Sequence, residues 1–399
     1  MNIMDKERLI NCIRRAENGE ELTISFFGGS ITQGSLADKA EEMYARRVFS
    51  WWEKTFPQAQ FHYVNGGIGG TTSHYGVSRV VTDLLMYQPD FVVVDFSVND
   101  EPEPFFQETY EGLIRKILSW DSKPAVLLLN NVYYDSGKTA QELHNEIGDY
   151  YGIPHVSIKE SIYADMKAGK YTREQLTPDG LHPNSFGHGL VAGEIIKYLE
   201  MLKNSVDKEI ETSESAGEKN KAEIHLSGCK ETEKLDKEKV SLPKSLTANA
   251  YENTKRFTIR EISPKLDGFM ADTREKKGLL DHFKNGWIGK KAGDRITFTL
   301  DASNIAIQYR KTIDRPALCA KLVLDGETEK AVILDGNFEE DWGDCLWLEP
   351  ILHHGEKKMH TVEITILDEE NTEREIKEEI KTEVKKTPFY LLSVIGDFE

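Results

Sequence analysis

Five short apolar runs, separated by amphipathic stretches, organise the first half of the chain. They are 22–29 (LTISFFGG), 61–67 (FHYVNGG), 90–97 (DFVVVDFS), 125–131 (AVLLLNN) and 154–158 (PHVSI), all rich in β-branched or aromatic residues. Near-continuous apolar runs suit strands covered on both faces. Between them, the spacing of apolar positions predicts helices over 42–54, ending before Pro57, and over 77–86, ending before Pro89. Further helices are predicted over 110–120, 141–151 and 186–202. Alternation of strand and helix implies a parallel sheet with helices on both sides. Residues 1–203 are therefore expected to form a flavodoxin-like three-layer α/β/α domain with about five parallel strands.

The pattern then changes twice. Over 204–246 Lys, Glu, Ser and Asn dominate, and no aromatic residue falls between Tyr198 and Tyr251. Such a stretch buries too little apolar surface to fold alone, so a charged linker or excursion is expected. Over 247–399 the period drops to two, in 295–302 (RITFTLDA), 305–311 (IAIQYRK), 319–326, 330–336, 360–368 and 389–398. Gly and Asp turns separate these runs, which reads as an all-β sandwich of jelly-roll type. One segment, 372–386, interrupts it with Ile376, Ile380 and Val384 four apart, as in a short charged surface helix or a hairpin arm.

A length of 399 residues suits two such domains. The net charge of -18 argues against a nucleic-acid partner and against an anionic membrane surface. The first 20 residues carry no apolar leader core, and no run is long enough to span a bilayer, so a cytoplasmic protein is expected. Cys12, Cys229, Cys319 and Cys345 lie far apart and form no CxxC pair, which reads as reduced thiols, although Cys319 and Cys345 fall in the same domain.

Four segments carry candidate chemistry. In 26–34 (FFGGSITQG), Ser30 follows the first strand, where an open parallel sheet presents its carboxyl edge. In 64–76 (VNGGIGGTTSHYG), Gly70 can turn a backbone N–H toward an oxyanion. In 94–100 (VDFSVND), Asn99 offers a side-chain amide. In 177–196, Asp179 and His182 are three apart in a loop closed by Pro183, so the carboxylate can reach a ring nitrogen and fix its tautomer. Each segment alone is more often a plain turn or a helix cap. A metal would need more His or Cys at suitable spacing, and His188 is the one other histidine nearby, so neither metal nor cofactor is expected.

Taken together, the order Ser, Gly, Asn, Asp-His resembles the SGNH (GDSL-like) hydrolase superfamily over residues 20–203. The resemblance implies Ser30 as nucleophile, His182 as base and Asp179 as its orienter. It implies an oxyanion hole made by the Ser30 amide, Gly70 in Asn65-x-Gly67-x-x-Gly70, and Asn99. Two departures stand out: Gly28-Gly29-Ser30 where members often have Gly-Asp-Ser, and Ser97-Val98-Asn99-Asp100 where they often have Gly-x-Asn-Asp.

The superfamily cleaves many esters, so fold alone does not choose among them. The absence of a long apolar lid and the appended sandwich, similar to a carbohydrate-binding module, point to sugar esters. The segments GGSITQG (28–34) and GGIGGTTS (66–73), with the C-terminal sandwich, resemble two-domain mannan or xylo-oligosaccharide O-acetylesterases, and that resemblance implies acetylated oligosaccharides derived from mannan or xylan. Thr71, His74 and Tyr75 near the site, and Trp287 and Trp342 in the sandwich, are candidate sugar contacts; Tyr309 and Trp347 could extend such a platform. A lysophospholipase or thioesterase, or a non-catalytic sugar-binding protein, are the alternatives.

Overall fold

A computed structural model of the chain describes residues 4–217, 242–340, 342–368 and 386–397. Its contacts separate into two bodies: Met1–Gly69 with Leu84–Asn249, and Gly70–Asp83 with Ala250–Glu399.

The first body is built on five parallel strands, β1 (Glu21–Gly28), β2 (Gln60–Asn65), β3 (Phe91–Asp95), β4 (Ala125–Asn130) and β5 (His155–Ser157), in the order β2-β1-β3-β4-β5. This is the doubly wound arrangement expected from the alternation. Every residue of β3 and β4 is buried, which explains why those strands read as unbroken apolar runs. The helices are α1 (Met4–Glu17), α2 (Ser30–Gln33), α3 (Tyr44–Thr55), α5 (Pro104–Leu118), α6 (Gln141–Tyr151), the short α7 (Ala164–Lys167) and α8 (Arg173–Leu176), and α9 (Ser185–Gly217). Between α3 and α5 the chain also forms α4 (Ser73–Asp83), which packs with the second body. The amphipathic α3 turns Tyr44, Val48, Phe49 and Trp52 inward, and Trp52 meets Phe56, Phe61 and Phe91 in one aromatic cluster.

Three features differ from the sequence reading. Helix α1 was not expected; its Leu9, Ile10 and Ile13 are nonetheless core residues. The charged stretch does not begin at 204, because α9 runs on to Gly217, with Leu199, Leu202 and Val206 buried along one face. Its far end is also ordered. The Glu111 carboxylate accepts the Leu246 and Thr247 amides at 2.6 and 2.7 Å, and Arg115 reaches the Pro243 carbonyl at 2.8 Å. The remainder of that stretch, 218–241, and most of the charged segment 372–386 lie outside the described residues.

The second body has two antiparallel sheets. One orders Val332–Leu334, Ala320–Leu324, Lys358–Ile366, Arg295–Ala302 and Lys265–Asp267; the other orders Cys345–Leu352, Ile305–Lys311, Phe389–Gly396, Trp287–Gly289 and Met270–Ala271, with Lys255–Phe257 also on Phe389–Gly396. Residues 295–302 alternate between buried and more exposed, as a strand with one covered face must. Phe389–Gly396 lies inside its sheet and is buried throughout. Cys345–Leu352 was not expected as a strand; it forms an edge. Cys12, Cys319 and Cys345 are free thiols, and Cys229 is outside the described residues. Among the described residues no helix is long and apolar enough to cross a membrane.

Candidate active site

The strand order reverses direction between β1 and β3, and open α/β sheets hold their sites at that crevice. Ser30 opens α2 directly after β1, and Asn99 follows β3. His182 arrives 152 positions after Ser30, yet its Nε2 lies 2.8 Å from Ser30 Oγ. On the other side of the ring, Nδ1 lies 2.7 Å from Asp179 Oδ2. The carboxylate cannot donate, so Nδ1 carries the proton and Nε2 is left to accept from the serine hydroxyl. The other carboxylate oxygen accepts from the amides of Leu181 and His182 at 2.9 and 2.8 Å, and from the Thr177 hydroxyl at 3.0 Å. Burial alone would raise the Asp179 carboxyl pKa, but the His182 ring and these amides outweigh it and hold the group below its usual value.

The candidate oxyanion donors Ser30 and Asn99 lie beside the same turn. As a first-turn residue, Ser30 has an amide with no carbonyl partner inside its helix. Asn99 is held by a tight turn in which its own amide and that of Asp100 both reach the Phe96 carbonyl at 2.9 Å. Asp100 is fixed in turn by buried His144, 3.0 Å away, whose ring stacks on Tyr110. The Asn99 side chain lies against Gly29: a β-carbon there would stand 2.2 Å from Asn99 Oδ1 and 3.2 Å from Nδ2. Gly69 lies in ordinary contact with Ser30, for its β-carbon would fall 3.5 Å from that of Ser30.

Matches to known proteins agree with this geometry. Residues 26–190 match the GDSL-like Lipase/Acylhydrolase family. A two-domain esterase active on acetylated mannans, crystallised with mannopentaose, is 43% identical, with a TM-score of 0.84 over 98% of this chain and 95% of that one. The chain belongs to the GDSL-like (SGNH) hydrolases. It is 25% identical across 191 residues to thioesterase 1/protease 1/lysophospholipase L1 of Escherichia coli K12, covering 46% of this chain and 85% of that protein. It is 23% identical across 189 residues to an arylesterase of Vibrio mimicus, covering 41% and 88%.

As an SGNH esterase or acylhydrolase, the chain explains its own departure from Gly-Asp-Ser. Asn99 occupies the volume that any side chain at position 29 would need. Residue 65 also gains a role that sequence reasoning missed. Asn65 Oδ1 accepts from the Gly67 amide at 2.8 Å while Nδ2 donates to the Thr32 carbonyl at 2.8 Å, clamping the loop after β2 onto α2. Beneath the nucleophile, the Tyr44 hydroxyl donates to Thr32 Oγ1 at 2.7 Å, and Thr32 donates to Asp95 Oδ2 at 3.0 Å. Asn131 donates to the same oxygen at 3.0 Å. Full burial drives the Asp95 pKa up, the bonds from Asn131 and Thr32 oppose it, and the net value is about 7.

The remaining expected contacts have the following surroundings. Gly70 has a left-handed φ of 67° and belongs to the second body. Trp287 is not a sugar platform. It is 1% exposed and meets Phe298 edge-on inside the sandwich core, as strand alternation at its position demands. Tyr309 is likewise core. Thr71, His74 and Tyr75 are buried rather than presented to a ligand: His74 packs edge-on against Tyr251, and the Tyr75 hydroxyl accepts from Arg256 at 2.7 Å. Trp342 alone of the five keeps an open face, 56% exposed, with its ring edge 3.3 Å from the place a Gly70 β-carbon would occupy.

Two outcomes are expected. Gly29→Ala displaces the Asn99 amide and lowers kcat on an aryl acetate by about 10²-fold, the usual loss for one oxyanion donor, with little change in melting temperature; a variant as active as the parent contradicts the packing described. For Asp95, the folded value of about 7 exceeds the unfolded value, so the folded state binds the extra proton between these limits and stability falls as pH rises through them. Asp95→Asn removes that loss, so its melting temperature gains on the parent's between pH 5 and pH 8; a difference flat in pH contradicts the raised value.

Proposed function

We propose that the protein is a serine esterase removing O-acetyl groups from oligosaccharides derived from mannan or xylan. The observation that carries the hydrolytic part is the continuous chain Ser30 Oγ–His182–Asp179 at 2.8 and 2.7 Å. Ser30 Oγ attacks the acetyl carbonyl while its proton passes to His182 Nε2. Charge collects on the carbonyl oxygen, and the Ser30 amide and the Asn99 side chain stabilise it. As the tetrahedral adduct collapses, the C–O bond to the sugar breaks and His182 returns the proton to the departing hydroxyl. Acetyl-Ser30 remains. Water then attacks it with His182 again as base, and acetate leaves. Throughout, Asp179 keeps the ring in the tautomer that accepts from serine and favours the imidazolium.

The choice of sugar rests on two supports. Likeness to the mannan-active two-domain esterase runs through both domains, not the catalytic one alone. Trp342 offers an exposed indole face braced edge-on by Phe338 at 4.9 Å, a surface on which a pyranose ring can stack. Likeness to the thioesterase covers 46% of this chain and favours a second reading, a longer-chain acylhydrolase.

Acetate release from acetylated manno- and xylo-oligosaccharides, beside an acyl-length series of aryl esters, separates the readings. Activity is expected to be highest on acetyl esters and acetylated manno-oligosaccharide; preference for long acyl chains contradicts the proposal. Ser30→Ala is expected to abolish turnover, and Asp179→Asn to lower kcat by roughly 10⁴-fold. Trp342→Ala is expected to raise KM on the oligosaccharide several-fold and to leave aryl acetate hydrolysis unchanged. Equal losses on both substrates contradict a sugar-stacking role.

A further inference from the structure

His188 is fully buried six residues beyond His182, in the first turn of α9, and the reaction above does not use it. Its ring is satisfied at both ends by backbone. Nδ1 accepts the Tyr44 amide at 3.2 Å, and Nε2 lies 3.0 Å from the Ser35 carbonyl. An amide can only donate and a carbonyl can only accept, so the ring is neutral with its proton on Nε2. Its titration follows suit: burial lowers the pKa, the Ser35 carbonyl works against this, and the charges of Arg47 and His182 lower it further.

Both partners lead to the nucleophile within a few atoms. The Ser35 amide donates to the Ser30 carbonyl at 3.0 Å, closing the turn that ends α2. Tyr44 carries the hydroxyl that binds Thr32, two residues after Ser30. On the other side, the His188 amide donates to the Asn184 carbonyl at 2.8 Å, and the Asn184 amide donates to the Leu176 carbonyl at 2.9 Å, so His188 is rigidly joined to the loop that bears His182. The segments 30–35 and 182–188 thus run side by side, tied by two imidazoles: His182 to Ser30 at one end and His188 to Ser35 at the other. The Ser185 hydroxyl adds contacts to Asp38 and Glu42, further along the chain from Ser30.

We propose that His188 is a positioning residue that sets the Ser30–His182 separation, by locking the acid–base loop to the nucleophile turn through its Nε2–H bond to the Ser35 carbonyl. The inference rests on the esterase reading for its catalytic consequence, while the alignment it describes is physical and measurable without substrate. With the His188–Ser35 tie cut, Ser185 still holds Asp38 and Glu42, but the turn that bears Ser30 loses its backbone link to the histidine loop and the Ser30–His182 separation is free to change. A misplacement near 1 Å is enough to cost on the order of 10²-fold in rate.

Three variants separate this role from a general structural one. His188→Gln can still place an N–H near the Ser35 carbonyl, His188→Asn is too short to reach it, and His188→Leu fills the space without polarity. The readouts are kcat and KM on an aryl acetate, the rate of Ser30 labelling by a fluorophosphonate, and the proton resonance of the His182 Nδ1–H. Leucine and asparagine variants are expected to lose about 10- to 100-fold in kcat and in labelling rate, with KM within about twofold and the resonance broadened or lost. Glutamine is expected to restore most of each. A folded leucine variant with parental kcat, labelling and resonance overturns the proposal. So does a glutamine variant no better than asparagine, a comparison that holds even if leucine does not fold. Failure of the parent protein to label at Ser30 sinks the nucleophile reading instead, and the resonance still decides the role of His188.

Discussion

The proposed chemistry depends on one hydrogen bond between residues 152 positions apart, Ser30 Oγ to His182 Nε2 at 2.8 Å. No local propensity creates it. The parallel sheet does, by delivering the ends of β1 and β3 to one edge, while α9 returns along the same domain and carries the histidine loop at its start. Asp179 adds what the sheet cannot, a fixed tautomer. Because Leu181, His182 and Thr177 already hold one carboxylate oxygen, the other is committed to the imidazole. The acid–base pair is therefore arranged before substrate arrives, and little reorganisation is left for the reaction.

Beneath that bond lies a polar layer in an otherwise apolar interior. Tyr44, Thr32, Asp95 and Asn131 pass hydrogen bonds from one element to the next. Such groups are expensive to bury singly and stiffen a site when they satisfy one another. Their yield here is position. Thr32 cannot shift without disturbing Asp95, Asn65 or Tyr44, and Ser30 begins the same short helix. Gly29 completes the packing from above, where the Asn99 amide leaves no room for a side chain.

The sequence patterns revealed much of this, and the reasons for the failures are physical. Strands β3 and β4 were legible because both faces are covered, and the run 141–151 was legible because its apolar period matches α6 end to end. The end of α9 was not, since beyond Leu202 the buried stripe continues at Val206 amid a stretch dominated by charged residues. The Asp179–His182 contact was legible because the two residues are local to one turn. The residues around it were not: Thr32, Tyr44, Asn65, Asp95 and His188 look like ordinary polar residues until the chain is folded. A faint signal existed in Thr32 and Asp95, polar groups at the ends of strongly apolar runs. Trp287 was misread for the opposite reason, since an aromatic residue near a turn is as often core as platform, and only the pairing of Trp287–Gly289 with Phe389–Gly396 shows which face it takes.

The central claim is that this geometry makes Ser30 a covalent nucleophile. Rapid acid quench of the enzyme during turnover of an aryl acetate, followed by peptide mass spectrometry, reads it directly. The account expects one acetyl group on the peptide containing Ser30, present in the parent and absent in His182→Ala. Turnover with no acetylated peptide at any quench time, or with the acetyl group on another residue, would contradict it.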